Sequence, residues 1–445
     1  MKDLIIIGAG PGGFDTAIHA AEMGLDVTLI EKHKVGGTCL NYGCIPTKAL
    51  YHISKKIKDM KELHVFGINT SDYSIDYNVI KERKESIVSH QITNILTSLE
   101  KLGVELIEGS AEIKSPGKVE VNGGIIEAKN IIIATGSIPK RLQFEGNDLP
   151  VVTDSKGILS LDVFPKKITI VGAGVIGCEM ALIFNQLGAE ITLVEYQDEI
   201  LPPLDKDIKK RARNLYKRQG INIFTKSAFK KVYEKDGIYY SVFEQKGKTI
   251  ETETDYVLLS TGRAPNFGGI DLDSLNIKHT NLGIEVNENL ETSVKGIYAI
   301  GDVNGQLMLA HKATYDGYKA LAHITNNQMD INFNLVPSVV FTFPEIAMVG
   351  KTEQEMTGDY QTNKYLFKTN AKAECLNETD GFVKMIVDEN GILVGCHIIG
   401  AHASDMIHEV TTIMNTNITI NEYKNIIHAH PTISEVIGEC IKGFH

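Results

Sequence analysis

Two cysteines five residues apart are the side chains of this sequence best suited to redox chemistry. Cys39 and Cys44 lie in the run GGTCLNYGCIPTK. Five residues of a regular helix rise about 7.5 Å, too far for the two sulfur atoms to join. The spacing therefore predicts an irregular backbone at the start of a helix, for which Gly43 and Pro46 are suited. A thiol near a helix N-terminus also ionises more easily.

Zinc binding and simple burial are the alternative interpretations of this pair. A zinc site would need a second Cys or His pair at metal spacing, which the sequence lacks, so we predict no metal. The other cysteines are too scattered for a disulfide scaffold. Cys178, Cys375 and Cys396 stand in apolar patterns and are expected in the core, whereas Cys440 could lie in the core or on a helix surface.

A second group of reactive side chains lies in the run HAHPTISE at residues 428–435. Thiol–disulfide exchange needs a group that takes a proton from the entering thiol, and an imidazole suits that task near neutrality. A carboxylate on the other ring nitrogen would fix the tautomer. His430 and Glu435 are the candidates. By residue type alone, a metal half-site or surface histidines are the commoner interpretations, and they stay open here.

An internal repeat supplies the elements that would position these side chains. Residues 4–31 and 168–195 each combine an apolar strand, a GxGxxG turn, a helix and a second strand ending in Glu. In such units the three glycines make the turn, admit a pyrophosphate and let helix and strand pack. The matched positions, 164 residues apart, are Gly8, Gly10, Gly13, Gly24 and Glu31 in the first copy and Gly172, Gly174, Gly177, Gly188 and Glu195 in the second. The repeat predicts two dinucleotide-binding units.

The residues after Glu195 bear on the choice of nicotinamide cofactor. We expect the carboxylates of Glu31 and Glu195 to accept hydrogen bonds from ribose hydroxyls. A 2′-phosphate would be repelled by Glu195, and the following run YQDEI contains no Arg to neutralise it. The sequence therefore predicts NAD(H) and not NADP(H).

Composition limits the class of protein. The chain has 445 residues, a formal net charge of −11, 43% hydrophobic and 23% charged residues, so several globular domains are expected. No Lys/Arg cluster suggests nucleic-acid binding. No apolar run reaches the ~18 residues of a membrane span. The N-terminal apolar run passes directly into a glycine turn, as a buried strand does, so a cytoplasmic location is expected.

Seven runs occur in the order of one known family: GAGPGG, ATGSIP, GAGVIG, TGRAPN, GIYAIGDV, LAHKA and HAHPTISE. With the cysteine run, the chain resembles the pyridine nucleotide–disulfide oxidoreductases, and among them most of all the dihydrolipoamide dehydrogenases. The resemblance implies an α/β fold with two Rossmann-like domains and a C-terminal α+β dimerisation domain. The boundaries that it implies are 1–145 for the FAD domain, 146–265 for the NAD domain, 266–333 for a central segment and 334–445 for the dimerisation domain.

The same resemblance implies residue roles. Cys44 would lie nearest the flavin, Cys39 would meet the substrate, and His430 with Glu435 would be the base supplied by the other subunit of a homodimer. Lys48 would pair with Glu179 near the flavin. The cofactor-binding residues so implied are Gly8, Gly10, Gly13, Glu31, Lys32, Gly37, Thr38, Lys48, Ala111, Thr135, Gly136, Ser137, Gly172, Gly174, Gly177, Glu179, Glu195, Gly262, Arg263, Gly301, Asp302, Met308, Leu309, Ala310 and His311.

The implied reaction is the oxidation of protein-bound dihydrolipoyl groups to lipoyl groups by NAD⁺, with one non-covalent FAD per subunit. The partner would be a lipoylated carrier or the acyltransferase core of a 2-oxo acid dehydrogenase or glycine cleavage complex. The alternative is another NADH-using flavin reductase, acting on a different small disulfide or a thioredoxin-like protein. Phe14, Asp15, His19 and Tyr42 depart from the pattern. Of these, Asp15 would weaken pyrophosphate binding unless it points away, and Tyr42 would narrow the substrate entrance.

Overall fold

The first repeat forms the centre of a seven-stranded sheet in this computed structural model, which describes residues 1–69 and 73–444. Its apolar strands are buried on both faces, as strands in a parallel sheet are. The elements are β1 (Lys2–Ile7), α1 (Pro11–Glu22), β2 (Val27–Glu31), α2 (Gly37–Tyr42), α3 (Cys44–Glu62), a 3-10 turn (Leu63–Phe66), α4 (Tyr77–Lys101), β3 (Glu105–Glu108), β4 (Ala111–Ser115), β5 (Lys118–Val121), β6 (Gly124–Ile133) and β7 (Ser137–Pro139). The strand order is β3-β2-β1-β6-β5-β4, parallel up to β6 and antiparallel beyond it.

The second repeat builds a five-stranded parallel sheet of the same design. Its elements are β8 (Val152–Thr153), α5 (Ser155–Ile158), β9 (Lys167–Val171), α6 (Val175–Gln186), β10 (Glu190–Val194), α7 (Lys206–Arg218), β11 (Asn222–Phe224), β12 (Ser227–Lys235), β13 (Ile238–Gln245), β14 (Lys248–Glu253), β15 (Tyr256–Leu259) and β16 (Arg263–Pro265). The order is β11-β10-β9-β15-β8, with β12, β13 and β14 in a separate antiparallel sheet. β16 pairs with β7, which ties this unit to the first.

The chain then returns to the first sheet. This segment contains β17 (His279–Thr280), β18 (Gly283–Ile284), β19 (Ile297–Ala299), a 3-10 turn (Gly301–Asn304) and α8 (Ala310–Ile324). β19 adds to β6 in parallel, and α8 packs on α1. The helices approach closely because Gly12 faces Ala313 and Gly317 faces Thr16, where an added Cβ would lie 3.1 and 1.7 Å from the facing atoms. The return of the chain places Gly301 and Asp302 at the carboxyl edge of the first sheet.

The C-terminal part is an antiparallel sheet covered by helices. Its elements are 3-10 turns at Phe333–Leu335, Glu353–Glu355 and Phe367–Thr369, with β20 (Ser338–Val340), β21 (Glu345–Gly350), β22 (Tyr360–Leu366), α9 (Ala371–Cys375), β23 (Phe382–Asp388), β24 (Leu393–Gly400), α10 (Ala403–Thr416), α11 (Ile420–Tyr423) and α12 (Glu435–Lys442). The order β20-β21-β24-β23-β22 is antiparallel throughout. Two Rossmann-like units and a C-terminal α+β unit confirm the fold expected from the sequence.

One apolar core joins the helix that begins at Cys44 to the other units. Leu50, Tyr51 and Ile57 on α3 share a buried cluster with Phe184 on α6 and Phe343 before β21. Tyr51 stacks on Phe343 at 4.8 Å between ring centroids. Because α3 packs against both α6 and the segment before β21, the position of its first turn, which begins at Cys44, is fixed as well.

The burial of the remaining cysteines follows the sequence pattern with one exception. Cys178, Cys396 and Cys440 are buried, whereas Cys375 is exposed at the end of the short helix α9, so the expectation of a core position for it is wrong. Among the described residues, no helix combines the length and apolar character needed to cross a membrane.

Candidate active site

Most of the candidate residues face one continuous cavity of about 2310 Å³. Both glycine loops, both cysteines, the acidic ends of β2 and β10 and the segment from Met308 to His311 line it. Of the candidates in the first two units and the central segment, only Gly13 and Gly177 lie outside its lining. The parallel sheets explain this convergence, because the carboxyl ends of their strands meet at shared edges.

The two cysteines lie on either side of a break between helices. Cys39 is in α2, and Cys44 is the first residue of α3. Gly43 between them has φ −143° and ψ −108°, outside the helical region, which confirms the irregular backbone expected from the spacing. Both side chains are free thiols here, with Cys39 half-buried and Cys44 exposed.

The environment of the pair favours a thiolate on Cys44. A hydrogen bond from the Cys39 thiol, assisted by the positive charge of Lys48, lowers the pKa of Cys44 to about 7. The same hydrogen bond, together with burial, raises the pKa of Cys39 well above its ordinary range. The reduced pair therefore carries its negative charge on Cys44 near neutral pH.

Lys48 and Glu179 form the expected ion pair between α3 and α6. The Lys48 Nζ atom lies 2.8 Å from one carboxylate oxygen and 3.1 Å from the other. Glu179 is almost fully buried and also accepts the backbone N–H of Phe341 at 2.9 Å. The Lys48 Nζ atom stands 4.3 Å from the centroid of the Phe341 ring. The pair thus places a cation one helical turn from Cys44.

The two glycine loops have the same geometry. Gly8 and Gly172 have φ of 105° and 99°, and an added Cβ would lie 2.4 and 2.6 Å from backbone oxygens. At Gly13 and Gly177 an added Cβ would lie 1.8 and 2.0 Å from the carbonyl oxygens of the first glycines. These third glycines pack helix against strand and do not face the cavity.

The second glycine of each loop leaves space. An added Cβ at Gly10 or Gly174 would meet no atom within 4 Å, and both residues line the cavity. This open space at the start of a helix is where a pyrophosphate would approach the free N–H groups of α1 or α6. Each of the two loops therefore has the space and the N–H groups that a dinucleotide pyrophosphate needs.

The acidic residues at the ends of β2 and β10 hold these loops. One Glu31 oxygen accepts the N–H of Ala9 at 2.7 Å, and one Glu195 oxygen accepts the N–H of Ala173 at 2.6 Å. The other oxygens accept backbone N–H groups two residues later, from His33 and Gln197. A carboxylate offers about four lone-pair positions, so each remains able to accept a ribose hydroxyl. Binding to the loop backbone is a role that the sequence did not reveal.

Strand-end turns bring further candidates to the first loop. Ser137 donates to Asp302, and Arg263 donates to the Ser137 Oγ atom at 2.7 Å and to its carbonyl at 2.6 Å. The Thr135 hydroxyl donates to the carbonyl of Asn266 at 2.5 Å. The cavity lining also includes further candidates from all three parts, namely Lys32, Gly37, Thr38, Ala111, Gly136, Gly262, Gly301, Leu309, Ala310 and His311.

His430 and Glu435 pair with each other but lie apart from the cysteines. The His430 Nδ1 atom is 2.9 Å from a Glu435 oxygen, whose partner oxygen accepts the N–H of Thr432 at 2.8 Å. These two contacts, the backbone one first, hold the pKa of Glu435 below its ordinary value. The His430 side chain is 73% exposed, and neither residue lines the cavity. One subunit alone therefore does not unite the candidate base with the redox pair.

Several site residues escaped the sequence analysis. Lys312 and Asp316 form a buried ion pair at 2.7 Å, and Asp316 also accepts the N–H of Gly301 at 3.0 Å, which supports the turn carrying Asp302. Lys312 lies in the run LAHKA, but no sequence motif marks its partner Asp316 four residues later. The first turns of α10 also line the cavity through Asp405 and His408.

Asp15 and Tyr42, which depart from the family pattern, differ in their position relative to the cavity. Asp15 does not line the cavity; it accepts a hydrogen bond from Thr314 on α8 at 2.7 Å, so it points away from the first glycine loop. Tyr42 does line the cavity, with the Lys156 Nζ atom 4.3 Å from its ring centroid. A narrowed substrate entrance stays a prediction.

We predict opposite effects for alanine at the last two glycines of the second loop. Gly174→Ala adds a methyl group to open cavity and should weaken NAD⁺ binding while the thermal midpoint changes little. Gly177→Ala forces a methyl group onto the Gly172 carbonyl and should cost about 1–3 kcal/mol of stability. Calorimetric titration with NAD⁺ and thermal unfolding separate the two effects. A strongly destabilised G174A protein would contradict the open space at this position.

We also predict that Cys44 titrates near pH 7 under the control of Lys48. In a Cys39→Ser background, which keeps a donor beside Cys44, its alkylation rate should rise with a midpoint near the value of about 7 found for this thiol. Lys48→Met should move that midpoint upward, because the cation stabilises the thiolate. Lys56→Met, on the exposed side of the same helix, is the control and should leave the midpoint unchanged. An unchanged midpoint in K48M would exclude this role of the cation.

Comparison with known proteins matches the chain to one family over most of its length. Residues 2–317 match the pyridine nucleotide-disulphide oxidoreductase family, and residues 336–441 match its dimerisation domain. The dihydrolipoyl dehydrogenase of Chlamydia pneumoniae is 38% identical over 447 residues, covering 98% of this chain and 95% of the relative. That of Bacillus subtilis (strain 168) is 35% identical, covering 98% and 97%. Leghemoglobin reductase of Glycine max is 37% identical, covering 99% and 87%.

Solved structures give the same result. LpdA from Mycobacterium tuberculosis has a TM-score of 0.92 at 26% identity and covers 99% of each chain. The HOCl-induced flavoprotein disulfide reductase RclA from Escherichia coli has a TM-score of 0.89 at 25% identity and covers all of both chains. With two nucleotide loops and a cysteine pair in one cavity, this chain belongs to the pyridine nucleotide-disulphide oxidoreductase family.

Proposed function

We propose that this protein oxidises protein-bound dihydrolipoyl groups to lipoyl groups with NAD⁺. The observation that carries the proposal is the redox pair in a cavity shared with two glycine loops, the second of which is bound by the buried Glu195. The protein is an oxidoreductase that uses FAD and NAD(H). The dihydrolipoyl substrate is supported by relatives named dihydrolipoyl dehydrogenase at 35 to 38% identity.

We assign FAD to residues 1–145 and 266–333, and NAD(H) to residues 146–265. The loop at Gly8–Gly13 and the turn at Gly301–Asp302 would hold the first cofactor, and the loop at Gly172–Gly177 with Glu195 would hold the second. FAD, when bound, supplies a two-electron relay between the cysteine pair and NAD⁺. Lys48 would present its charge to that cofactor as well as to Cys44.

The cysteine pair supports a defined thiol exchange. A dihydrolipoyl thiolate would attack the sulfur of Cys39 in the oxidised pair, forming a mixed disulfide and releasing Cys44 as a thiolate. A low thiol pKa makes Cys44 a good leaving group. The second thiolate of the dihydrolipoyl group would then attack the substrate sulfur of the mixed disulfide. This closes the lipoyl disulfide and releases Cys39. Two electrons pass to the pair; one substrate proton stays on a base, and the other protonates the released Cys39 thiolate, whose pKa is raised.

The geometry supports His430 of the partner subunit as that base. The family's dimerisation domain supports a homodimer, and residues 334–445 are assigned to it. An exposed imidazole held by Glu435 outside its own cavity is suited to enter the cavity of a second copy. The neutral ring would accept the substrate proton, and the Glu435 carboxylate would stabilise the imidazolium.

The partner and the location remain part of the proposal. A lipoylated carrier or the acyltransferase core of a 2-oxo acid dehydrogenase or glycine cleavage complex would present the substrate. A cytoplasmic location stays a prediction from the sequence.

The reaction is tested by steady-state kinetics of the FAD-loaded protein. Dihydrolipoamide and NAD⁺ should give NADH, with NADP⁺ at least about 100-fold less effective because Glu195 repels a 2′-phosphate. Glutathione disulfide and oxidised thioredoxin, each assayed with NADH and NADPH, should be poor substrates. Failure to form NADH from dihydrolipoamide would overturn the proposal, and rapid reduction of either disulfide would favour the alternative reductase.

Removal of the proposed base should lower turnover without disturbing the fold. His430→Gln is expected to reduce kcat by about 10²–10⁴-fold, the usual contribution of a positioned base. His64→Gln, at an exposed histidine after α3, is the matched control and should keep full activity. Equal kcat values for H430Q and the unmodified protein would exclude His430 from proton transfer.

A further inference from the structure

A buried lysine ties the C-terminal sheet to the second nucleotide unit. Lys384 on β23 is fully buried, and its Nζ atom lies 2.8 Å from both oxygens of Asp205. It also contacts Asp207 at 2.7 Å and Glu353 at 2.5 Å. Burial opposes the charged form, yet these carboxylates hold the pKa of Lys384 above its ordinary value. A buried ammonium with this many carboxylate partners is a strong, directional tie.

Asp205 is the end of a segment that lies against the NAD(H) loop. It caps α7 by accepting the N–H of Asp207 at 2.9 Å, and it is completely buried. Immediately before it, Pro202, Pro203 and Leu204 line the cavity. A contact that fixes Asp205 therefore also fixes the C-terminal end of the cavity-lining segment Pro202–Leu204.

The other end of the segment is bonded to the second glycine loop itself. Leu204 donates its N–H to the Leu201 carbonyl at 3.0 Å, and Leu201 donates to the carbonyl of Ala173 at 2.8 Å. Ala173 is the residue whose own N–H is bound by Glu195. Leu201 has φ 52°, a left-handed conformation that a leucine adopts only when its surroundings impose it.

We propose that Lys384 is a positioning residue for the NAD(H) site. By holding Asp205, it keeps Leu201–Leu204 in its strained turn against Ala173, and so keeps the second glycine loop in the shape that binds the cofactor. The inference rests on the proposed assignment of NAD(H) to this loop. It gives the C-terminal unit a role in nucleotide binding that is separate from dimer formation.

A second tie between the same two units offers a matched control. Asp380, just before β23, accepts hydrogen bonds from Arg211 at 2.5 Å and from Arg218 at 2.8 Å, both on α7. It is partly exposed and lies toward the opposite end of that helix from Asp205. Asp380→Asn loosens the same pair of units without touching the segment that lines the cavity.

The test compares Lys384→Met with Asp380→Asn in the oxidised, FAD-loaded protein. K384M should raise the Kd for NAD⁺, measured by calorimetry, at least about fivefold. Its KM for dihydrolipoamide should stay unchanged, and the amides of Leu201 and Leu204 should exchange hydrogen faster. D380N should keep the Kd and the exchange rates of the unmodified protein. An unchanged Kd in K384M, or an equal rise in D380N, would overturn the inference.

K384M leaves a buried carboxylate without its partner, which can prevent folding. The double variant K384M/D205N removes both charges of the fully buried pair and keeps an N-capping side chain on α7. It should fold and show the same rise in the Kd for NAD⁺; a Kd equal to that of the unmodified protein would overturn the inference. Failure of the unmodified protein to bind NAD⁺ would instead overturn the assignment of the second loop, and the inference with it.

Discussion

The ion pair between Lys48 and Glu179 joins the three units of the fold beside the redox pair. Lys48 belongs to the helix that starts at Cys44, and Glu179 belongs to the helix that starts at the second glycine loop. Phe341 directly follows the first strand of the C-terminal sheet. A buried carboxylate must have partners, because an unpaired one costs several kcal/mol. Glu179 has both of these partners only when all three units are in place, so the Lys48 side chain is held by this carboxylate only in the assembled protein.

The asymmetry of the two thiols follows from this arrangement. Helix α3 begins immediately after Gly43, which separates the cysteines onto two helices. The hydrogen bond from the Cys39 thiol, assisted by the Lys48 cation, then lowers the pKa of Cys44, and the same hydrogen bond raises that of Cys39. One sulfur is left to face an incoming thiol, and the other is a good leaving group. On one regular helix, the sulfur atoms of the same two cysteines would lie too far apart to form a disulfide, and neither would have these separate roles.

Local patterns predicted the nucleotide loops well because the turn needs only neighbouring residues. Gly8 and Gly172 are required by their left-handed backbone, with φ of 105° and 99°, and Gly13 and Gly177 by their contact with the carbonyls of those first glycines, so their spacing alone identified them. Long-range pairs left no such pattern. Lys384 and Asp205 are 179 positions apart, and nothing periodic links a lysine in one strand to an acidic helix cap. The exposed Cys375 shows the reverse error, since an apolar neighbourhood in sequence did not bury it.

By itself, the sequence predicted the chemistry of this protein: a redox pair of cysteines, two loops for dinucleotide pyrophosphates and a preference for NAD(H). These properties depend on residue types at short, regular spacings. Only the tertiary structure decided how the parts act on one another, because ion pairs and cavity walls are made by residues distant along the chain. In the structure, Asp15 points away from the first glycine loop, and Lys384 contacts Asp205 at the end of the segment beside the second loop. His430 lies outside the cavity of its own subunit. The cysteine pair came from the sequence, and the surroundings that make it reactive came from the fold.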